Sequence, residues 1–121
     1  MAGLIALAVP ISIHAQDEAP LVLVLTAEGP ITPAMQEYLS RGLEIAQKRG
    51  AELVVFELNT PGGSVTLMSE MVKQIRASTV PVVVYISPRG GMAASAGTVI
   101  TLAGHAAAMA PETAIGAASP V

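Results

Sequence analysis

The chain has 121 residues, a formal net charge of −3, and 52% hydrophobic against 12% charged residues, which supplies a folded core and argues against disorder. Its six Lys and Arg residues are scattered, so the basic stripe that nucleic-acid binding needs is missing. Cysteine is absent, which excludes disulfides, a thiol nucleophile and zinc–thiolate sites, and the His and acidic residues form no ligand cluster in the sequence, so neither a metal nor a cofactor is expected.

Ala2 to Ala15 is apolar and uncharged apart from His14, and the polar Gln16–Asp17–Glu18 follows at once. This pattern reads as a signal-peptide h-region, with the small residue Ala15 before a cut. No Lys or Arg precedes the run, and Ile13 is large for the third position before the cut, so a short membrane anchor is the alternative reading of residues 1–15. The run is shorter than the roughly 20 apolar residues of a membrane span. Either way the chain is expected to be exported or membrane-associated, on the extracytoplasmic side.

Leu21 to Thr26 is a continuous apolar run and reads as a strand buried on both faces. Thr32–Pro33 opens a helix, Thr as N-cap and Pro at the first position. Met35, Leu39, Leu43 and Ala46 supply its apolar face, and Gly50 its stop. Leu53 to Leu58 is a second strand, ending in the sharp loop Asn59–Thr60–Pro61–Gly62–Gly63. A second helix carries Leu67, Met68, Met71, Val72 and Ile75 on one face. Val80 to Ile86 is a third strand, and Ser87–Pro88–Arg89–Gly90–Gly91 a second Gly-rich turn. Ala93 to about Ala103 reads as a close-packed buried helix, Ala106 to Ala110 as a short strand, and Ile115 to Val121 as a loop-like tail. Alternating strands and helices predict an α/β fold with a mainly parallel sheet and right-handed crossovers. With no further element to close the sheet, the sequence reads as the N-terminal part of a larger domain.

Sites in open α/β sheets form at the carboxyl ends of the strands. Two Gly-rich loops fall there. Glycine lets backbone N–H groups approach a ligand, and helix N-termini add unpaired donors. Such loops bind an anion or stabilise an oxyanion. Neither carries the Gly-Lys-Ser/Thr of a phosphate loop or the dinucleotide fingerprint. Ser95, in Ala93–Ala94–Ser95–Ala96–Gly97, is the candidate nucleophile, although Ala93 stands where the hydrolase elbow G-x-S-x-G has its first Gly. On spacing alone a helix N-cap or a packing residue is the simpler reading of Ser95.

Three motifs in order, Asn59–Thr60–Pro61–Gly62–Gly63, Pro88 to Gly97 and Ala108 to Ala117, resemble the NfeD family of membrane-associated serine proteases, of the ClpP class within the ClpP/crotonase fold. The resemblance runs from about Leu21 to Val121. It implies a ClpP-like protease domain over 21–121 with Ser95 as nucleophile. It also implies an oxyanion hole from Gly62–Gly63, with Gly63 the favoured donor and Ala96 N–H the second. The implied chemistry is Ser-Lys dyad hydrolysis of apolar peptides. The implied partner is the apolar tail of a stomatin-type membrane protein, and a homo-oligomer is expected. The dyad Lys of such relatives lies some tens of residues past the Ser, beyond this sequence, so the chain alone is expected to be inactive or nearly so.

Nothing else in the sequence supplies a base. His105 lies ten residues after Ser95, about 15 Å along a helix, and reads as a cap of that helix. Asp17, the one Asp, sits beside the targeting segment, and Lys48 and Lys73 fall on polar helix faces. Two other readings use the same loops without the Ser95 hydroxyl. One is a non-catalytic module that grips an apolar peptide or membrane partner. The other is crotonase-type acyl-CoA chemistry.

Overall fold

The computed structural model describes residues 2–11 and 19–119. The predicted cut after Ala15, with Gln16, Asp17 and Glu18 beside it, lies outside the described residues. Ala2 to Ile11 is exposed and in neither helix nor strand. Among the described residues, no helix is long and apolar enough to cross a membrane.

The elements among the described residues are, in chain order, β1 (Val22–Glu28), α1 (Pro33–Lys48), β2 (Leu53–Asn59), α2 (Val65–Ala77), β3 (Val82–Ile86), β4 (Met92–Ala94), α3 (Ala96–Ala103), β5 (Ala106–Met109) and β6 (Ala114–Gly116). Strands β1, β2, β3 and β5 form one parallel sheet in that order. The short strands β4 and β6 pair in parallel as a second sheet.

The helix boundaries follow from the residues that set them. Thr32 Oγ1 accepts the Met35 N–H at 3.3 Å, and Pro33 opens α1 where its missing N–H costs nothing. Gly50, just past the Arg49 cap, takes the left-handed conformation that ends the helix. Ser64 Oγ caps α2 by accepting the Leu67 N–H at 3.2 Å.

Strand alternation sends Val54, Phe56, Leu58, Val82, Val84 and Ile86 to one wholly buried face. There they join Met35, Leu39 and Ala46 of α1, Met71 and Ile75 of α2, and Ile100 of α3 in one apolar cluster. Each such large side chain contributes about 1.5–3 kcal/mol. The expectation that the first strand is buried on both faces is corrected. Val22 and Val24 are 44% and 51% exposed, because they alternate away from the face that carries the helix residues.

Two further expectations change. Met92–Ala94, read in part as the start of a helix, is the strand β4, and α3 begins only at Ala96. The loop-like tail from Ile115 begins inside a strand, β6 (Ala114–Gly116). In both cases local propensity is overridden by backbone pairing, because β4 finds partners on each side in the carboxyl-end loop of β2 and in β6.

Candidate active site

The loop that leaves β2 is laced to β4. Thr60 N–H donates to Met92 O at 2.7 Å, and Ala94 N–H donates back to Thr60 O at 3.0 Å. Asn59 Oδ1 accepts the Met92 N–H at 3.0 Å. On its other side β4 pairs with β6. The chain then turns at Ser95 from β4 directly into α3.

That turn is strained. Ser95 has φ 56° and ψ −121°, a region that residues with a Cβ rarely occupy. Such a conformation costs of order 1–3 kcal/mol and persists only where neighbours enforce it. Enforcement is visible here: Ser95 N–H donates to Gly116 O at 2.8 Å, and Ser95 O accepts the Thr98 N–H at 2.9 Å. Although Ser95 occupies the N-cap position of α3, its side chain makes no capping hydrogen bond. The residue is exposed. The side-chain cap expected of Ser95 is therefore not made, and Ser95 sits on a sharp strand-to-helix turn.

The structure brings Ser95 and Gly62 together. A Cβ on Gly62 would stand 2.9 Å from Ser95 Cβ and 3.4 Å from Ser95 Oγ, and Gly62 has φ +113°. Gly62 N–H donates to the buried Thr60 Oγ1 at 3.1 Å, while Gly62 O accepts the Ile31 N–H at 2.9 Å. Both backbone polar groups of Gly62 are thus engaged. Gly63 N–H, in contrast, donates to no group among the described residues. Ala96 is the first residue of α3, where the N–H has no intrahelical acceptor.

A hollow of about 250 Å³ opens beside Ser95, lined by Val65 and Met68 of α2, Ala96 and Val99 of α3, and Ala118 and Ser119. A second, of about 210 Å³, lies along β4 and β6, lined by Met92, Ala94 and Ala114 to Ala117. Both walls are mostly apolar. A more polar hollow between α1 and α2, with Glu44, Gln47 and Gln74 in its wall, contains neither Ser95 nor either Gly-rich loop.

The other sequence candidates lie elsewhere. His105 does not cap α3, which ends at Ala103 with Gly104 as its cap. Its Nδ1 accepts the Val82 N–H at 3.0 Å and its own N–H donates to Val82 O at 2.9 Å, so it fastens the start of β5 to β3. Lys48 and Lys73 are exposed and face Glu44 and Glu70 at 2.7 and 3.5 Å. Arg89 and Glu112 make a two-pronged pair at 2.8 and 2.6 Å that ties the turn after β3 to the turn before β6. The Arg89 guanidinium holds the Glu112 carboxyl below the usual carboxylate range.

Sequence reasoning missed Thr60 and Thr98. Thr60 is fully buried, and Gly97 lets α3 press against it: a Cβ on Gly97 would lie 2.5 Å from Thr60 Cγ2. A hydroxyl three residues after Ser95, within a run of small residues, was the available signal for Thr98.

The fold is that of the ClpP-like proteases. The NfeD1b N-terminal domain family matches residues 21–121, and the chain belongs to this family. It is 43% identical over 101 residues to the membrane-bound protease PH1510 of Pyrococcus horikoshii, covering 84% of this chain and 23% of that protein. It is 33% identical over 111 residues to the membrane protein NfeD1b of Bacillus subtilis, covering 92% of this chain and 25% of that one. The chain thus spans about a quarter of the curated relatives it matches. Among solved structures, the 1510-N membrane-bound stomatin-specific protease superposes with a TM-score of 0.82 as a serine-to-alanine variant, at 41% identity over 84% of this chain and 49% of that one. A lysine-to-alanine variant of it, in complex with a substrate peptide, gives 0.81 at 42% identity, over 84% of this chain and 47% of that one. ClpP1 from Listeria monocytogenes gives 0.62 at 25% identity, over 67% of this chain and 46% of that one. The α/β fold with a mainly parallel, ClpP-like sheet is therefore as the sequence indicated, and the chain is homologous to a membrane-bound protease.

Proposed function

We propose that this domain is the nucleophile-bearing part of a membrane-associated serine endopeptidase that cleaves apolar peptide segments. One observation carries the reading: Ser95 is an exposed hydroxyl on a strained strand-to-helix turn, against a Gly-rich loop whose Gly63 N–H has no acceptor among the described residues. In the proposed mechanism Ser95 Oγ attacks the scissile carbonyl and gives its proton to a base. The C–N bond then breaks, the amine leaves with that proton, and water hydrolyses the acyl-enzyme. Gly63 and Ala96 N–H groups stabilise the oxyanion, and each such donor is worth roughly 3 kcal/mol in the transition state. Gly62 does not serve as a donor in this scheme, because its N–H is taken by Thr60. Its part is to admit Ser95.

The base is a lysine supplied from outside this sequence. A serine variant and a lysine variant of the 1510-N protease, the second holding a substrate peptide, support a Ser-Lys pair. The apolar hollow with Val65, Met68 and Val99 in its wall suits an aliphatic substrate side chain next to the cut. By analogy with the stomatin-specific relative, the substrate is an apolar segment of a stomatin-like membrane protein. Residues 1–15 act as the targeting segment, residues 21–121 as protease domain, and the site faces the extracytoplasmic side in a homo-oligomer. The test is hydrolysis of an apolar stomatin-type peptide by the full-length protein and its Ser95→Ala variant. Loss of cleavage with unchanged folding supports the reading. Cleavage retained by Ser95→Ala rules out Ser95, and binding without cleavage by either form would favour the peptide-binding module.

A further inference from the structure

Thr98 sits at the centre of a closed set of contacts around Ser95. Its Oγ1 accepts the Gly116 N–H at 3.0 Å and lies 2.7 Å from Gly116 O and 2.9 Å from Ala93 O. A hydroxyl has one proton, so it donates to one of these carbonyls at a time and can exchange between them. Gly116 O is also the acceptor for Ser95 N–H. Through its own N–H, Thr98 holds Ser95 O as well. One side chain therefore joins the strand before Ser95, the helix after it and β6 beside it.

We propose that Thr98 is a positioning residue, whose hydroxyl fixes Gly116 and Ala93 so that Ser95 is locked in the strained turn that presents Oγ. This rests on the reading of Ser95 as nucleophile. The physical case is that the Ser95 side chain makes no capping hydrogen bond that would stabilise its own conformation among the described residues. A strained turn needs surroundings that over-determine it. The Ser95 N–H itself is held only by Gly116 of β6, a three-residue strand. Thr98 doubles the attachment at Gly116 by engaging both its N–H and its carbonyl.

The test compares Thr98→Val, which keeps the shape and removes the hydroxyl, with Thr98→Ser, which keeps the hydroxyl, both in the full-length protein. Thr98→Val is expected to lower kcat for peptide hydrolysis by about 100-fold, the scale of a misplaced reacting group, with KM within about twofold. Thr98→Ser is expected to stay within about threefold of wild type in kcat, since it keeps the hydroxyl. Wild-type kcat in Thr98→Val, or an equal loss in Thr98→Ser, overturns the proposal. Should Thr98→Val fail to fold, the same substitution is made beside Ser95→Gly, where glycine needs no enforcement at the turn. Recovery of folding there supports the lock, and failure in both backgrounds overturns it. Hydrolysis retained by Ser95→Ala would instead sink the nucleophile reading, a result that neither Thr98 variant can imitate.

Discussion

Gly62 and Ser95 are so close that a single carbon added to Gly62 would collide with the Cβ of Ser95 at 2.9 Å. The same carbon would lie 3.1 Å from the Ala94 carbonyl oxygen. It would also have to tolerate φ +113°, where a side chain is strained. Gly62→Ala is therefore expected to destabilise the fold by about 1–3 kcal/mol and to displace Ser95. Urea denaturation and peptide hydrolysis measured on the same preparation check this. Unchanged stability and unchanged kcat would show that the loop and the serine are not in contact.

Ser95 carries backbone strain, with φ 56° at a residue that has a Cβ. Replacing it with Gly removes the hydroxyl and the strain together, whereas Ala removes the hydroxyl alone. Ser95→Gly is expected to be more stable than Ser95→Ala by about 1–2 kcal/mol, with both variants inactive. Glycine mid-helix would be costly, but position 95 precedes α3. Equal denaturation midpoints for the two variants would contradict the strained turn.

Close packing at Gly97 gives a third expectation. A Cβ there would meet Thr60 Cγ2 at 2.5 Å, and Thr60 is fully buried and holds the Gly62 N–H. Gly97→Ala is expected to push α3 off the loop, costing roughly 1–3 kcal/mol of overpacking, and to lower activity. A Thr60→Ser change made together with Gly97→Ala removes the clashing methyl and is expected to recover part of the loss. No recovery would place the strain elsewhere.

The Arg89–Glu112 pair sets a pH dependence whose sign follows from its direction. Glu112 is held below the usual carboxylate range chiefly by its hydrogen bonds to Arg89. The pair's contribution is then fully present above the ordinary carboxylate value and is lost as pH falls through the depressed one. Both side chains are exposed, so the effect on stability is small. It is best read locally, by NMR titration of the Glu112 carboxyl. Arg89→Gln is expected to raise that midpoint back to the ordinary range. A midpoint that does not move would mean the pair is not formed in solution.

How far the sequence revealed this molecule depended on periodicity. β1, β2 and β3 announced themselves as Val- and Leu-rich runs, and α1 and α2 as amphipathic stretches, the first with Thr32 before it. β4 and β6 gave no such signal. Met92–Ala93–Ala94 and Ala114–Ile115–Gly116 are short and small, and only their mutual pairing makes them strands. The exposure of Val22 and Val24 was equally hidden, because an apolar run does not say on which side helices will lie. At the site, the Gly-rich loops and Ser95 were legible as residues. The positive φ of Ser95, the engagement of Gly62 N–H by Thr60 and the bridging by Thr98 were not, since each is a contact between segments distant in sequence or a backbone state without a residue signature.

The central claim is that Ser95 Oγ is the attacking group. The most direct measurement is reaction of the full-length protein with a fluorophosphonate, followed by intact mass and peptide mapping. A single adduct on the peptide containing Ser95, absent from Ser95→Ala and diminished in Thr98→Val, is the expected result. An adduct on another residue, or equal labelling of wild type and Ser95→Ala, would contradict the account.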